Sequence, residues 1–148
     1  MSENALFYLE GKVEDVMTWG PVYVRKDDEL EVLVELIKTY KFHGFPVLNA
    51  EGRLVGIVRD TDIISIFARR DPASRTYKKV EDIMHTPPLT IFLKESIQNA
   101  IMKMFADQTR FLVVMDEEDK PVGIVTRIDL IKGIRFREHP PSEHPPSD

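Results

Sequence analysis

The chain has 148 residues, 43% hydrophobic and 30% charged, with a formal net charge of −5 and no cysteine. A chain of this length buries roughly 68–70% of the surface it exposes when unfolded, enough for one compact unit or two small ones sharing a core. Mild acidity excludes a general field for nucleic acid or anionic lipid, the missing thiols exclude disulfides, thiolate zinc sites and a cysteine nucleophile, and no apolar run reaches the roughly 18 residues of a membrane span.

The opening, "MSENALFYLEGK", lacks the basic and apolar parts of a signal peptide and predicts a cytoplasmic protein. The first patterned segment is "VEDVMT" at 13–18, and "PVYVR" then reads as a strand. Leu30, Leu33, Val34 and Ile37 stand at i, i+3, i+4 and i+7, the stripe of an amphipathic helix, with Asp27 as its cap. "FPVLN", the turn "NAEGR" and "LVGIV" read as a hairpin, and "DIISIFARR" as a closing helix. The polar connection "RDPASRTYKK", with Pro72, suits a tight covalent pair of units.

The pattern then restarts. "VEDIMH" at 80–85 repeats the opener and Gly123 repeats Gly56, both 67 residues on. "PLTIF" predicts a strand, Ile97, Ala100, Ile101 and Met104 a helix, "FLVVMD", "DEEDK" and "PVGIV" a hairpin, and "DLIKGIRFR" a last helix. Each copy is β-α-β-β-α in an α+β arrangement of about 55 residues, only marginally stable alone, so the two are expected to pack together. The expected organisation is an N-terminal segment at 1–11, repeats at 12–70 and 80–136, a linker at 71–79 and a disordered, polyproline-like tail at 137–148. His139 and His144 on that tail make a weak metal site, and no metal is expected.

The chemistry concentrates in "GIVTRID" at 123–129 and its altered copy "GIVRDTD" at 56–62. Thr126 followed by Asp129 describes a capping box. Two details point further. The box prefers Glu or Gln in its last place, and Asp62 persists although Arg59 cannot cap, as though the acid were wanted for itself. Gly56 and Gly123 mark either a bulge or the close approach of a ligand or another backbone. Unpaired amides at a helix start attract phosphate, a carboxylate there accepts from a vicinal diol, and a threonine hydroxyl donates to phosphate. Gly, Thr and Asp at this spacing suit a ribose phosphate.

The doubled opener, the element order and the closing Gly-hydrophobic-hydrophobic-Thr-x-x-Asp signature resemble a tandem pair of CBS (cystathionine β-synthase) domains, a Bateman module, over residues 12–136. The resemblance implies two repeats packed through their sheets with pseudo-twofold symmetry, two clefts for adenosine compounds (AMP, ADP, ATP or S-adenosylmethionine), and a homodimer. Carried onto this chain, the second cleft would use Asp129 for ribose and Thr126 with Arg127 for phosphate, beside Gly123. His85, Pro88 and Leu89 would border the base, with Arg110 and Phe111 opposite. The first cleft would use Asp62, with Thr18, Trp19, Pro21 and Val22 around the base and His43 and Gly44 across from them. There Arg59 replaces the hydroxyl and Asp60 adds a charge that repels phosphate, so the second cleft is expected to be the better site. Trp19 reads equally as packing, and Arg110, His43 and His85 as solvated surface groups.

The expected function is a regulatory adenosine-nucleotide sensor without catalysis, signalling through a protein partner or through its own association. The alternative is a dimerisation or interaction module with vestigial clefts. An enzyme would need Asp129 or His85 as a base with a positioned proton, and the chain carries no Walker loop, GxSxG elbow or HExxH. Acidity argues against nucleic acid as a partner.

Overall fold

The structure is a computed structural model that describes residues 6–20, 22–69 and 76–137. The linker proline and the Pro-rich tail with both its histidines lie outside the described residues. In chain order the elements are β1 (Phe7–Leu9), α1 (Val13–Val16), β2 (Thr18–Trp19), β3 (Val24–Arg25), α2 (Leu30–Tyr40), β4 (Gly44–Leu48), β5 (Leu54–Arg59) and α3 (Asp60–Arg69). A 3-10 turn, Val80–Asp82, opens the second half, followed by β6 (Thr90–Phe92), α4 (Ile97–Ala106), β7 (Phe111–Met115), β8 (Pro121–Thr126), α5 (Arg127–Ile131) and β9 (Ile134–Phe136).

Two equivalent sheets follow. β3 runs parallel to β4, which pairs antiparallel with β5, and β6, β7 and β8 repeat the arrangement. Both hairpins turn on the same device. Asn49 Oδ1 accepts from the amides of Glu51 and Arg53 at 3.0 and 2.9 Å. Asp116 Oδ1 accepts from Glu118 and Lys120, both at 2.9 Å. Such a side chain mimics a backbone turn and sets the register of the strands on either side. Ile57, Phe111, Val113, Met115 and Ile124 form a buried cluster drawn from strands of both sheets.

Each sheet takes its fourth lane from the other half. β2 pairs antiparallel with β8, placing Thr18 opposite Ile124 and Trp19 opposite Gly123. Reciprocally, His85 pairs with Ile57 through bonds of 2.7 and 3.0 Å. The openers are exchanged too. Val13 and Val16 of α1 pack among Leu112, Val114 and Val125, whereas Val80 packs among Leu33, Phe45 and Val58. The backbone follows suit: Val13 N donates to Glu95 O and Glu14 N to Leu93 O, as Val80 N does to Asp28 O and Glu81 N to Lys26 O. The backbone amides of Lys78 and Lys79 also hold the Asp82 carboxyl below its usual range. A sequence repeat is therefore not a packing unit, and neither half is complete without the other. Val80→Ala, which empties a fully buried position, should cost about 2 kcal/mol. Thermal unfolding should show this as a loss of roughly 4–8 °C in one cooperative transition.

Three expectations need correction. Asp27 does not cap α2: the N-cap is Glu29, which makes no side-chain bond, while Asp28 accepts from Arg25 N at 2.8 Å. In the second half Ser96 does cap, accepting from Asn99 N at 3.0 Å. "PVYVR" yields only the two residues of β3. The expected last helix stops at Ile131, and the chain turns at Gly133 into β9, which pairs antiparallel with β1. A Cβ at Gly133 would collide with Ile97 Cδ1, and its carbonyl accepts from Glu10 N at 2.9 Å. Glycine thus lets the chain pass α4 closely enough for its two ends to pair.

Candidate functional site

The two signatures lie where β8 meets α5 and where β5 meets α3. At the second, the capping box is complete. Thr126 N donates to Asp129 Oδ2 at 3.0 Å, and Asp129 N donates to Thr126 Oγ1 at 3.2 Å. Asp129 is buried, and its other oxygen accepts from Lys132 Nζ at 3.1 Å, a lysine whose side chain is mostly exposed. At the first, Asp62 Oδ2 accepts from Arg59 N at 2.7 Å, so this acid caps without a hydroxyl partner. The persistence of Asp62 therefore has a structural reason at the helix start even without a hydroxyl partner. Arg59 also turns its guanidinium onto the same carboxylate, Nε to Oδ2 at 3.3 Å and Nη2 to Oδ1 at 3.1 Å.

The glycines explain themselves by close backbone approach. A Cβ on Gly123 would collide with Thr18 O and Met17 Cε, and one on Gly56 would meet His85 O at 2.9 Å. A register shift also falls beside each glycine, between Val47 and Leu48 and between Val114 and Met115. Both sequence readings, bulge and close approach, hold together, and the approaching backbone is the lane donated by the other half.

That exchange regroups the clefts. Thr18 and Trp19 stand beside Gly123, not Gly56, and His85 stands beside Gly56, not Gly123. The crossing loops exchange in the same way. Thr126 and Ile124 share a mouth of about 100 Å³ with Lys41, Phe42, His43 and Gly44, and with Arg110 and Phe111. Arg59, Asp60 and Thr61 share one of about 90 Å³ with Gln108, Thr109, Arg110 and Phe111, and with His43. The lane beside Gly123 is therefore Thr18 and Trp19 and the lane beside Gly56 is His85, while Gly44 borders the Thr126 mouth and His43, Arg110 and Phe111 border both mouths. Near the pseudo-twofold axis the two mouths are neighbours: a Cβ on Gly44 would meet the Phe111 ring at 2.6 Å.

Several assigned residues stand elsewhere. Arg127 is exposed and borders an apolar groove with Phe105, Leu130 and Ile131, and it does not line the Thr126 mouth. Pro88 lines a polar cavity of about 770 Å³ between the two hairpin turns. Leu89 packs against the core, and its carbonyl accepts from Val113 N at 2.9 Å. Val22 packs on the core of the first half, and Pro21 lies outside the described residues. Trp19 is 56% exposed, so it is not core packing. His43 is exposed and ties to Asp60 at 3.3 Å, leaving that carboxylate facing the first mouth.

Lys41, Gln108 and Lys132 were not anticipated. Lys132 was signalled by its i+3 spacing from Asp129. Lys41 and Gln108 occupy equivalent places with φ 57 and 51 at the ends of α2 and α4, a left-handed conformation without a glycine to announce it. Among the described residues no group of three His, Cys, Asp or Glu is placed to hold a metal, and no helix is long and apolar enough to cross a membrane.

Known proteins share this build. CBSX2 of Arabidopsis thaliana, solved in complex with AMP, is 28% identical and superposes with a TM-score of 0.73 over 82% of this chain and 93% of that one. The CBS domain pair of MJ0100, in complex with 5′-methylthioadenosine and S-adenosyl-L-methionine, is 23% identical with a TM-score of 0.72 and shares the fold, over 82% of this chain and 94% of its own. By sequence, the chain is 28% identical to inosine-5′-monophosphate dehydrogenase of Methanocaldococcus jannaschii, covering 84% of this chain and 24% of that enzyme. It is also 28% identical to the chloroplastic CBSX1 of Arabidopsis thaliana, covering 82% and 60%. The chain thus spans about a quarter of the first of these relatives. The CBS domain family model matches at residues 13–69 and again at 80–135. With the exchanged lanes, paired sheets and doubled signature already described, this chain belongs to the CBS domain family as a tandem pair.

Proposed function

We propose that the chain is a regulatory module that binds an adenosine nucleotide in the Asp129 cleft and carries out no chemistry of its own. The observation that supports this most is the intact Thr126–Asp129 junction beside an exposed Trp19 on the neighbouring lane. A base can stack on an exposed aromatic, a ribose diol can donate to Asp129 in place of the exposed Lys132, and His43 and Thr126 reach the phosphate side. AMP is the first ligand to test, because the 28%-identical CBSX2 was solved with it; ADP, ATP and S-adenosylmethionine follow. Binding would act by changing how the chain associates with itself or with a protein partner. Exposed Met102, Phe105, Ile128 and Ile131 on α4 and α5 support a homodimer built on that face.

Trp19 is the chain's single tryptophan, so its emission reports on this cleft alone. Titration with AMP should change that emission saturably, and GTP should not. Equal responses to both, or none to any adenosine compound, would defeat the reading. The interaction-module reading would then stand, supported by the Arg59–Asp62 contact that engages both oxygens of the first acid.

A further inference from the structure

The two halves differ most where their backbones match best. Thr126 and Arg59 are equivalent positions, each the last residue of its strand. Thr126 leaves its cleft open, with a short side chain turned to its own helix start. Arg59 does the reverse, setting two guanidinium nitrogens on both oxygens of Asp62. The pair is well sheltered, with side chains 24% and 15% exposed. Arg59 lines the mouth beside Asp60 and Arg110, and the Asp62 it holds borders an adjoining cavity of about 250 Å³ with Ser65, Ile66 and Arg69.

We infer that Arg59 is a built-in occupant of the first cleft, its guanidinium standing on Asp62 where a ribose diol would bind, and that the chain is consequently a one-site nucleotide binder. This rests on the nucleotide-binding reading above. A diol offers two neutral hydrogen bonds, whereas the guanidinium makes charge-assisted ones roughly twice as strong. A ligand displacing Arg59 would leave a partly buried cation without its partner. Its phosphate would also meet Asp60, whose carboxylate is held in the mouth by Thr61 N at 2.7 Å and by His43. Lys132 at the other acid is no counterpart. It is 59% exposed by side chain and reaches one oxygen only.

The test is binding stoichiometry by titration calorimetry with AMP and with uncharged adenosine, which Asp60 does not repel. The wild-type chain should bind one equivalent, and Arg59→Thr, which recreates the Thr126 arrangement, should bind two. Adding Asp62→Asn should return the count to one. Arg59→Ala serves as a second variant if threonine perturbs folding, with the same expected count. Two equivalents on the wild type, or one on both Arg59 variants, would overturn the inference while leaving nucleotide binding intact. No binding to the wild type but one equivalent on Arg59→Thr would support the occupant and defeat the reading of the Asp129 cleft. No binding to any variant would overturn both.

Discussion

Asp129→Ala is expected to weaken AMP binding by about 100-fold or more, the lower bound set by removing a charged acceptor of two hydrogen bonds at about 1.5–3 kcal/mol each. The same change removes the acceptor for Thr126 N and should cost roughly 1 kcal/mol of folding stability, as cap losses do. Affinity and stability are thus entangled in the alanine variant, and Asp129→Asn separates them. Its side-chain oxygen still accepts from Thr126 N, so the unfolding midpoint should return to within a few degrees of the wild type. The affinity should stay low, because the carboxylate charge is gone and one of the two acceptors has become a donor. Full recovery of AMP affinity in Asp129→Asn, read by Trp19 emission, would show that the acid serves only the helix start.

Gly123→Val should have the largest effect on stability. The first added carbon already collides with the carbonyl of Thr18 and with Met17 Cε, and a backbone carbonyl within a paired lane cannot step aside. β2 must leave its place on β8, and with it go Met17 from the core and Trp19 from the cleft edge. Overpacking of this kind costs about 3 kcal/mol, a fall of roughly 6–12 °C in the unfolding midpoint for a chain of this size. AMP affinity should fall in parallel, since the lane that borders the base side is the one displaced. A folded Gly123→Val with unchanged midpoint would contradict the exchanged lane itself. Gly56→Val makes a useful comparison, because it displaces His85 instead and should leave the Trp19 response unaltered.

What was legible beforehand was local. The stripe of Leu30, Leu33, Val34 and Ile37 produced α2, its counterpart at Ile97, Ala100, Ile101 and Met104 produced α4, and the two polar turns produced hairpins. Each depends on neighbours a few residues apart, and a helix or hairpin satisfies its own backbone. The doubling at 67 residues and the signature's Gly, Thr and Asp were equally plain. β2 and β9 were not. Two residues beside a glycine carry no periodicity, and "IRF" after "DLIKG" reads as more helix until the chain's opening segment is there to pair with it.

The sequence by itself determined that this chain is two copies of one unit, which residues face each core, and that an acid and a glycine recur in both signatures while the hydroxyl stands only in the second. Tertiary structure alone decided which cleft each segment serves. A perfect repeat places Thr18 and His85 in equivalent positions whether each stays on its own half or crosses to the other. In the crossed arrangement Val13 and Val80 are both fully buried on the opposite core. The same holds for Arg59, whose letter reads as a lost hydroxyl, and which only the folded geometry shows bound to both oxygens of Asp62.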